Sequence, residues 1–232
     1  MNNILAKYLE ERYKHEQKAP KKEEPGPVVT ISRKLGCSAK IISDKLAEQL
    51  TRQKKGKQPG EWRVINKEIL DSAAKELGVE PEKIAYIFKF QKRSLIDEVL
   101  EAFSEKYYKS ERRIKNTLKE VIYTFGKKGN TVIIGRAGAS ITHGIPKSFH
   151  VKLTAPLEDR KKTVAHRFSI SEKEAEDKIK ETDENRANLR NDFAGKRIGY
   201  DHYDMVLNTS RFTPDQVVKL IIHAMQQKGI ID

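Results

Sequence analysis

The stretch Ile31-Ser32-Arg33-Lys34-Leu35-Gly36-Cys37-Ser38-Ala39-Lys40 joins an apolar β-branched run to a helical pattern, and its residue types suit it to holding phosphate. Small residues from Gly36 through Cys37 and Ser38 to Ala39 let backbone N–H groups approach an anion closely, and the helix that starts there adds positive potential. Lys40 can reach across as a point charge. The strict phosphate-loop pattern GxxxxGK[ST] is not met, because Ala39 stands at its last glycine and Ile41 at its hydroxyl residue. Taken alone, the segment also fits an ordinary strand-to-helix turn. Cys37, beside a helix N-terminus, has the setting of a thiol with a lowered pKa, yet such thiols more often pack, and no catalytic role is assigned to it.

Basic residues recur at the ends of other predicted elements. Ile133-Ile134-Gly135-Arg136 closes a β-branched run with an arginine, and Ala155-Pro156-Leu157-Glu158-Asp159-Arg160 follows the next one. Asp183-Glu184-Asn185-Arg186 continues to Arg190 and Asp192, with Arg186 and Arg190 one helical turn apart, and Leu207-Asn208-Thr209-Ser210 precedes the terminal helix. Arginines on a charged helix ordinarily face water. For Arg186 and Arg190, the preceding Asp183 and their place in the order of these segments weigh against that reading.

The elements that must position these residues follow from hydrophobic periodicity. Strands are expected at Val28–Ser32, Trp62–Asn66, Thr131–Gly135, Phe149–Ala155 and Met205–Thr209, runs apolar enough for a parallel sheet buried on both faces. Helices fill the gaps at Lys40–Leu50 and Lys67–Leu77, and the chain between Ile84 and Phe125 has room for two more. Ser171 followed by Glu174 is a capping box, opening a helix towards Arg190; Thr213-Pro214 opens the last helix and Gly229 ends it. The stripe Phe88, Leu95, Ile96, Val99, Leu100 and Phe103 reads as core or subunit interface. The sum is a three-layer α/β domain whose ligands gather beyond the strand C-termini.

Composition narrows the classes. The 232 residues suffice for one such domain with an added segment, and the single cysteine forbids an internal disulfide. The six histidines show neither CxxC nor HExxH spacing, so no metal site is expected. No apolar run spans a membrane and no secretory signal opens the chain, which makes the cytoplasm the expected location. The net charge of +13 favours an anionic partner. Part of that excess is a patch from Lys106 to Lys119, in which Lys106, Lys109, Arg112, Arg113, Lys115 and Lys119 face one acid, Glu111. It reads as a solvated helix face, as part of a nucleotide-binding segment, or as a surface for nucleic acid. Residues 1–27 hold a short amphipathic pattern (Ile4, Leu5, Tyr8, Leu9) and a Lys/Glu/Pro stretch ending Pro25-Gly26-Pro27, which suits either a docking arm for a partner or a second copy, or a solvated extension.

In their order, the loop at Gly36–Lys40, Gly135-Arg136, Ala155 to Arg160, Asp183 to Asp192 and Leu207 to Ser210 resemble the cytidylate kinase-like family, a divergent branch of the nucleoside monophosphate kinases. The resemblance covers about residues 28–225. It implies a three-layer α/β/α P-loop kinase fold with a five-stranded parallel sheet and a helical insert between strands 2 and 3. The domain would run over 28–228, with 84–125 as acceptor-binding segment and 171–195 as a lid-like segment. It further implies ATP-dependent phosphoryl transfer to a nucleoside monophosphate, CMP or dCMP above all, with Mg²⁺ held mainly through the nucleotide phosphates. Gly36, Cys37, Ser38, Ala39, Lys40 and Ile41 would cradle the donor phosphates and Arg160 would lie on the ATP side. Arg136 would grip the acceptor phosphate, and Arg186 and Arg190 would close over the transferring group. Three departures weaken the catalytic reading: Ala39, Ile41, and the absence of a carboxylate from Ala137 to Ala139 beside Arg136. The same residues then suit a nucleotide-binding regulatory protein.

Overall fold

The computed structural model describes residues 25–53, 61–66 and 105–232, with side chains described from 115 onwards in the last stretch. The expected helix at Lys67–Leu77, the apolar stripe from Phe88 to Phe103 and most of the N-terminal arm lie outside these residues. So do the side chains of Arg112 and Arg113.

Five strands form one parallel sheet: β1 (Val28–Arg33), β2 (Arg63–Ile65), β3 (Thr131–Ile134), β4 (Ser148–Thr154) and β5 (Met205–Asn208). Their order across the sheet is β2-β3-β1-β4-β5. Each falls where a β-branched run predicted it; β1, β3 and β4 are covered on both sides and need apolar residues at consecutive positions, while the edge strands β2 and β5 are partly exposed. β1 is the clearest case, with Val28, Val29 and Ile31 fully buried.

Alternation along the strands sends side chains to two different layers. Val29, Ile31, Val132, Ile134, Phe149, Val151 and Leu153 share one core with Ile42 and Leu46 of α1 (Ala39–Arg52) and Val217, Val218 and Ile221 of the terminal helix (Pro214–Gln227). Val28 and Ile133 point the other way. They meet Ile122 of α2 (Glu105–Lys128), Ile141 of α3 (Gly138–Ile141), and Leu189 and Phe193 of the long helix Glu172–Ala194. A further helix, α4 (Leu157–Phe168), follows β4 and packs against that long helix, hereafter α5; the terminal helix is α6. This is the expected three-layer α/β architecture, with α2 inserted between β2 and β3.

Local signals set the ends. Ser171 and Glu174 form a complete capping box at the start of α5, and Thr213 with Gln216 does the same at α6, where Pro214 occupies the first turn. At the other edge, Gly26 N–H donates to Lys127 O at 3.3 Å, and Val28 N–H to Lys147 O at 2.9 Å. Gly26 and Gly129 are so close that a Cβ on Gly129 would stand 2.4 Å from Gly26 Cα, and Gly129 has φ +79°. Only glycine fits there. Among the described residues no helix is long and apolar enough to cross a membrane.

The α5 side of the sheet is unusual in carrying a polar stripe. Thr30 and Ser32 of β1 stand in register with His150 and Lys152 of β4, and all four are buried. His150 Nδ1 is 2.8 Å from Thr30 Oγ1, its backbone N–H donates to Asp204 at 2.7 Å, and the rings of His143 and His202 lie 5.7 and 6.1 Å away. Burial pushes His150 down to about 4; Asp204 opposes this, while His143, His202 and Lys228 add to it. A histidine kept neutral in the fold but free to protonate near 6.5 when unfolded makes the fold weaken as pH falls through that window. Urea unfolding at pH 7 and pH 4.5 should therefore show the wild type losing about 2 kcal/mol more than His150→Gln over this interval. Equal losses in the two proteins would remove this role for His150.

Candidate active site

The C-terminal ends of β1, β3 and β4 meet at one edge of the sheet, where an open α/β fold gathers its ligands. The turn after β1 is fixed there by long-range contacts. Lys34 N–H donates to Leu153 O at 3.1 Å, and Leu35 N–H donates to Asp183 Oδ1 at 2.8 Å from the middle of α5. Gly36 has φ +94°, and a Cβ on it would stand 2.9 Å from Arg160 Cβ, so both conformation and space require glycine. Within the turn Cys37 N–H bonds Lys34 O at 3.4 Å and Ala39 N–H bonds Cys37 O at 2.8 Å. Ser38 is the N-cap of α1 without a side-chain cap bond.

Arg160 underlies this turn rather than opening towards a ligand. It is 5% exposed and donates from Nη1 to Asp183 Oδ2 at 2.8 Å and to Leu35 O at 3.3 Å, and from Nε to Ala155 O at 3.1 Å. Asp183 thus accepts from the turn and from the arginine beneath it. The family resemblance implied a place on the ATP side for Arg160; in the structure its guanidinium is bonded to the turn and to Asp183.

The remaining arginines converge. Gly135, Arg136 and Ala137 follow β3 with φ of +68°, +53° and +54°, three successive left-handed residues, two of which carry side chains that disfavour this region. The bend lets Arg33 lie over Gly135: a Cβ there would fall 1.7 Å from Arg33 Nη1. Arg186 Nη1 donates to Arg33 O at 3.3 Å, Arg190 Nη1 donates to Arg186 O at 2.9 Å, and Ser140 Oγ donates to Arg190 O at 3.1 Å. Burial, and after it the charges of Arg186, Arg136 and Arg190, push Arg33 down to about 9. Burial likewise lowers Arg186, with Asp183 opposing. Arg190 Nε is buried with no hydrogen-bond partner among the described residues. An orphan donor inside a cluster of guanidinium groups fits a polyanion such as the phosphates of ATP.

The structure therefore brings Arg136, Arg186 and Arg190 together and adds Arg33, which sequence reasoning placed in the turn but gave no role. Lys40 is arranged differently: its side chain is 74% exposed and ion-pairs with Asp44 at 2.8 Å. Ile41 is half exposed. Burial raises the Cys37 thiol, reversing the lowered pKa that its place beside a helix N-terminus suggested; Thr209 and Arg160 oppose this. No group of three or more His, Cys, Asp or Glu side chains converges as a metal site among the described residues. With no hydroxyl at Ile41, Mg²⁺ would depend on the nucleotide phosphates for its ligands.

Fold and site together define an α/β protein with a cluster of arginines at the C-terminal edge of its sheet, suited to phosphoryl groups. A sequence model of the cytidylate kinase-like family matches residues 28–211, and the chain belongs to that family. It is 29% identical over 196 residues to a cytidylate kinase of Pyrococcus horikoshii, covering 84% of this chain and 85% of that protein. A shorter match, 30% identical over 98 residues, is to a uronate isomerase of Corynebacterium glutamicum; it covers 42% of this chain and spans 19% of that protein. Among solved structures, an uncharacterized protein from Eubacterium ventriosum has the same fold, with a TM-score of 0.61 at 20% identity over 87% of this chain and 98% of that one. The family supports a nucleotide-kinase-like function.

Asp183 is the residue whose loss should be felt first. Asp183→Ala leaves Arg160 buried without its carboxylate and frees Leu35 N–H. Chemical denaturation should show a loss of about 3 kcal/mol, the scale for breaking a buried pair from one side. A change under 1 kcal/mol would mean that the turn is held by other contacts.

Proposed function

We propose that this chain transfers the terminal phosphoryl group of ATP to a nucleoside monophosphate, with CMP or dCMP as the favoured acceptor. One observation carries the reading: Arg33, Arg136, Arg186 and Arg190 meet at the strand C-termini, with Arg186 bonded to Arg33 O and Arg190 to Arg186 O. Phosphoryl transfer asks little covalent work of a protein. An oxygen of the acceptor phosphate attacks the terminal phosphorus, the bond to the bridging oxygen breaks, and ADP leaves; the protein aligns the groups and stabilises their charge. In this reading Arg136 holds the acceptor phosphate, Arg186 and Arg190 reach the transferring group from α5, and the turn from Gly36 to Ile41 lies against the donor phosphates. Mg²⁺ arriving with ATP supplies further charge neutralisation. The acceptor base is favoured by the family and by the Pyrococcus horikoshii relative alone.

A second reading is favoured by Lys40 and Ile41. A lysine paired with Asp44 and an isoleucine in place of a hydroxyl suit a protein that binds nucleotide without turning it over. Nucleic acid as partner has less support, because Lys115 of the basic patch is paired with Asp192 at 2.5 Å and lies over the Phe193 ring.

Incubation with ATP, Mg²⁺ and a panel of nucleoside monophosphates, followed by chromatography of the products, separates these readings. Diphosphate formation fastest with CMP or dCMP, reduced about a hundredfold in Arg136→Ala, is the expected result. Thermal stabilisation by nucleotides without product would leave the binding protein, and neither turnover nor binding would end both readings.

A further inference from the structure

We infer that Lys152 is a further phosphate-positioning residue, an ammonium that meets the anion from the sheet side and is held in its charged form by it. The inference rests on the reading that the arginine cluster holds phosphate. Lys152 lies in the interior of β4, in register with Ser32 of β1, and is 5% exposed. It points to the α5 side of the sheet, since its neighbours Val151 and Leu153 fill the opposite core. Among the described residues no carboxylate forms an ion pair with it, Asp183 being bonded to Arg160 instead.

Its surroundings explain why it is there. From α5 it feels Arg190 and Arg186, which repel it, and Asp183, which attracts it; Lys34 repels it from the turn. Tyr203, just before β5, presents its ring 5.9 Å from Nζ, and the Tyr203 hydroxyl is itself buried without a partner among the described residues. Asp183 is already bonded to Leu35 N–H and Arg160. Burial and three like charges against one engaged carboxylate bring Lys152 down to about 7. A bound dianion reverses that balance, so near neutral pH the lysine takes up a proton as the anion binds. An arginine at this position would stay charged in either state.

Sulfate, dianionic throughout pH 6 to 8.5, tests this without help from nucleotide chemistry. Over that range His150, near 4, stays neutral and Arg33, near 9, stays mainly charged. By linkage the wild-type affinity, measured by calorimetry, should hold level below about pH 7 and then fall towards tenfold per pH unit. Lys152→Arg should hold a level affinity across the range, and Lys152→Met should bind weakly at every pH. A purely structural role would not produce this contrast. The inference is overturned if wild-type affinity is as level as that of Lys152→Arg, if Lys152→Met matches wild type at pH 6, or if sulfate does not bind. Nucleotide turnover assayed on the same preparations separates the two levels: wild-type turnover with an unaltered Lys152→Met removes this residue alone, and absent turnover and nucleotide binding removes the kinase reading itself.

Discussion

Like charges gathered at one edge of a sheet repel, and Asp183 is the group that holds them in place. Its carboxylate reaches back from the middle of α5 to the backbone of the β1 turn and to the guanidinium of Arg160, so that turn, α4 and α5 are fixed relative to one another. Arg186 and Arg190 follow on the same helix, one and two turns further on. Their distance to Arg33 and Arg136 is therefore set by the same carboxylate that fixes the turn. A stabilising contact and the geometry of the arginine cluster are one arrangement, because charge-assisted bonds of this kind fix direction as well as supply energy.

The two faces of the sheet divide the work. The α1 and α6 side is packed with aliphatic side chains, and this layer supplies most of the hydrophobic stabilisation. The α5 side exchanges some apolar contact for Thr30, Ser32, His150 and Lys152, each of which needs a polar partner or carries a desolvation cost. Such a stripe weakens the domain while placing polar groups on rigid strands, where their positions are better defined than on loops.

How much of this could be read from the chain depends on the range of the interactions. All five strands were legible: the three central ones, buried on both faces, write continuous apolar runs into sequence, and the two edge strands keep short β-branched runs. The capping boxes at Ser171 and Thr213 were equally legible, being local patterns. Arg136 was singled out because it follows a strand at the ligand edge, and Arg186 and Arg190 because of their spacing and of Asp183 before them on one helix. Arg33 was passed over inside a loop scanned for small residues, and what betrays it is a glycine 102 positions later whose missing Cβ makes room for it. Lys152 was hidden for a different reason: in Phe149-His150-Val151-Lys152-Leu153 a polar residue at every second position looks like a solvent-facing side. The bond from Arg160 to Asp183, 23 residues on, could not be read locally, and the family resemblance alone spoke for this arginine. The departures at Ala39 and Ile41 were visible, but the pairing of Lys40 with Asp44 became apparent only with α1 formed.

The tight approach of Gly26 to Gly129 has a practical consequence. It brings the polypeptide into β1 beside the α2–β3 turn, at the sheet margin remote from the arginines. A tether joined directly at Pro25 would thus leave the domain at the end of the sheet opposite the arginines, away from diffusing solutes that approach them.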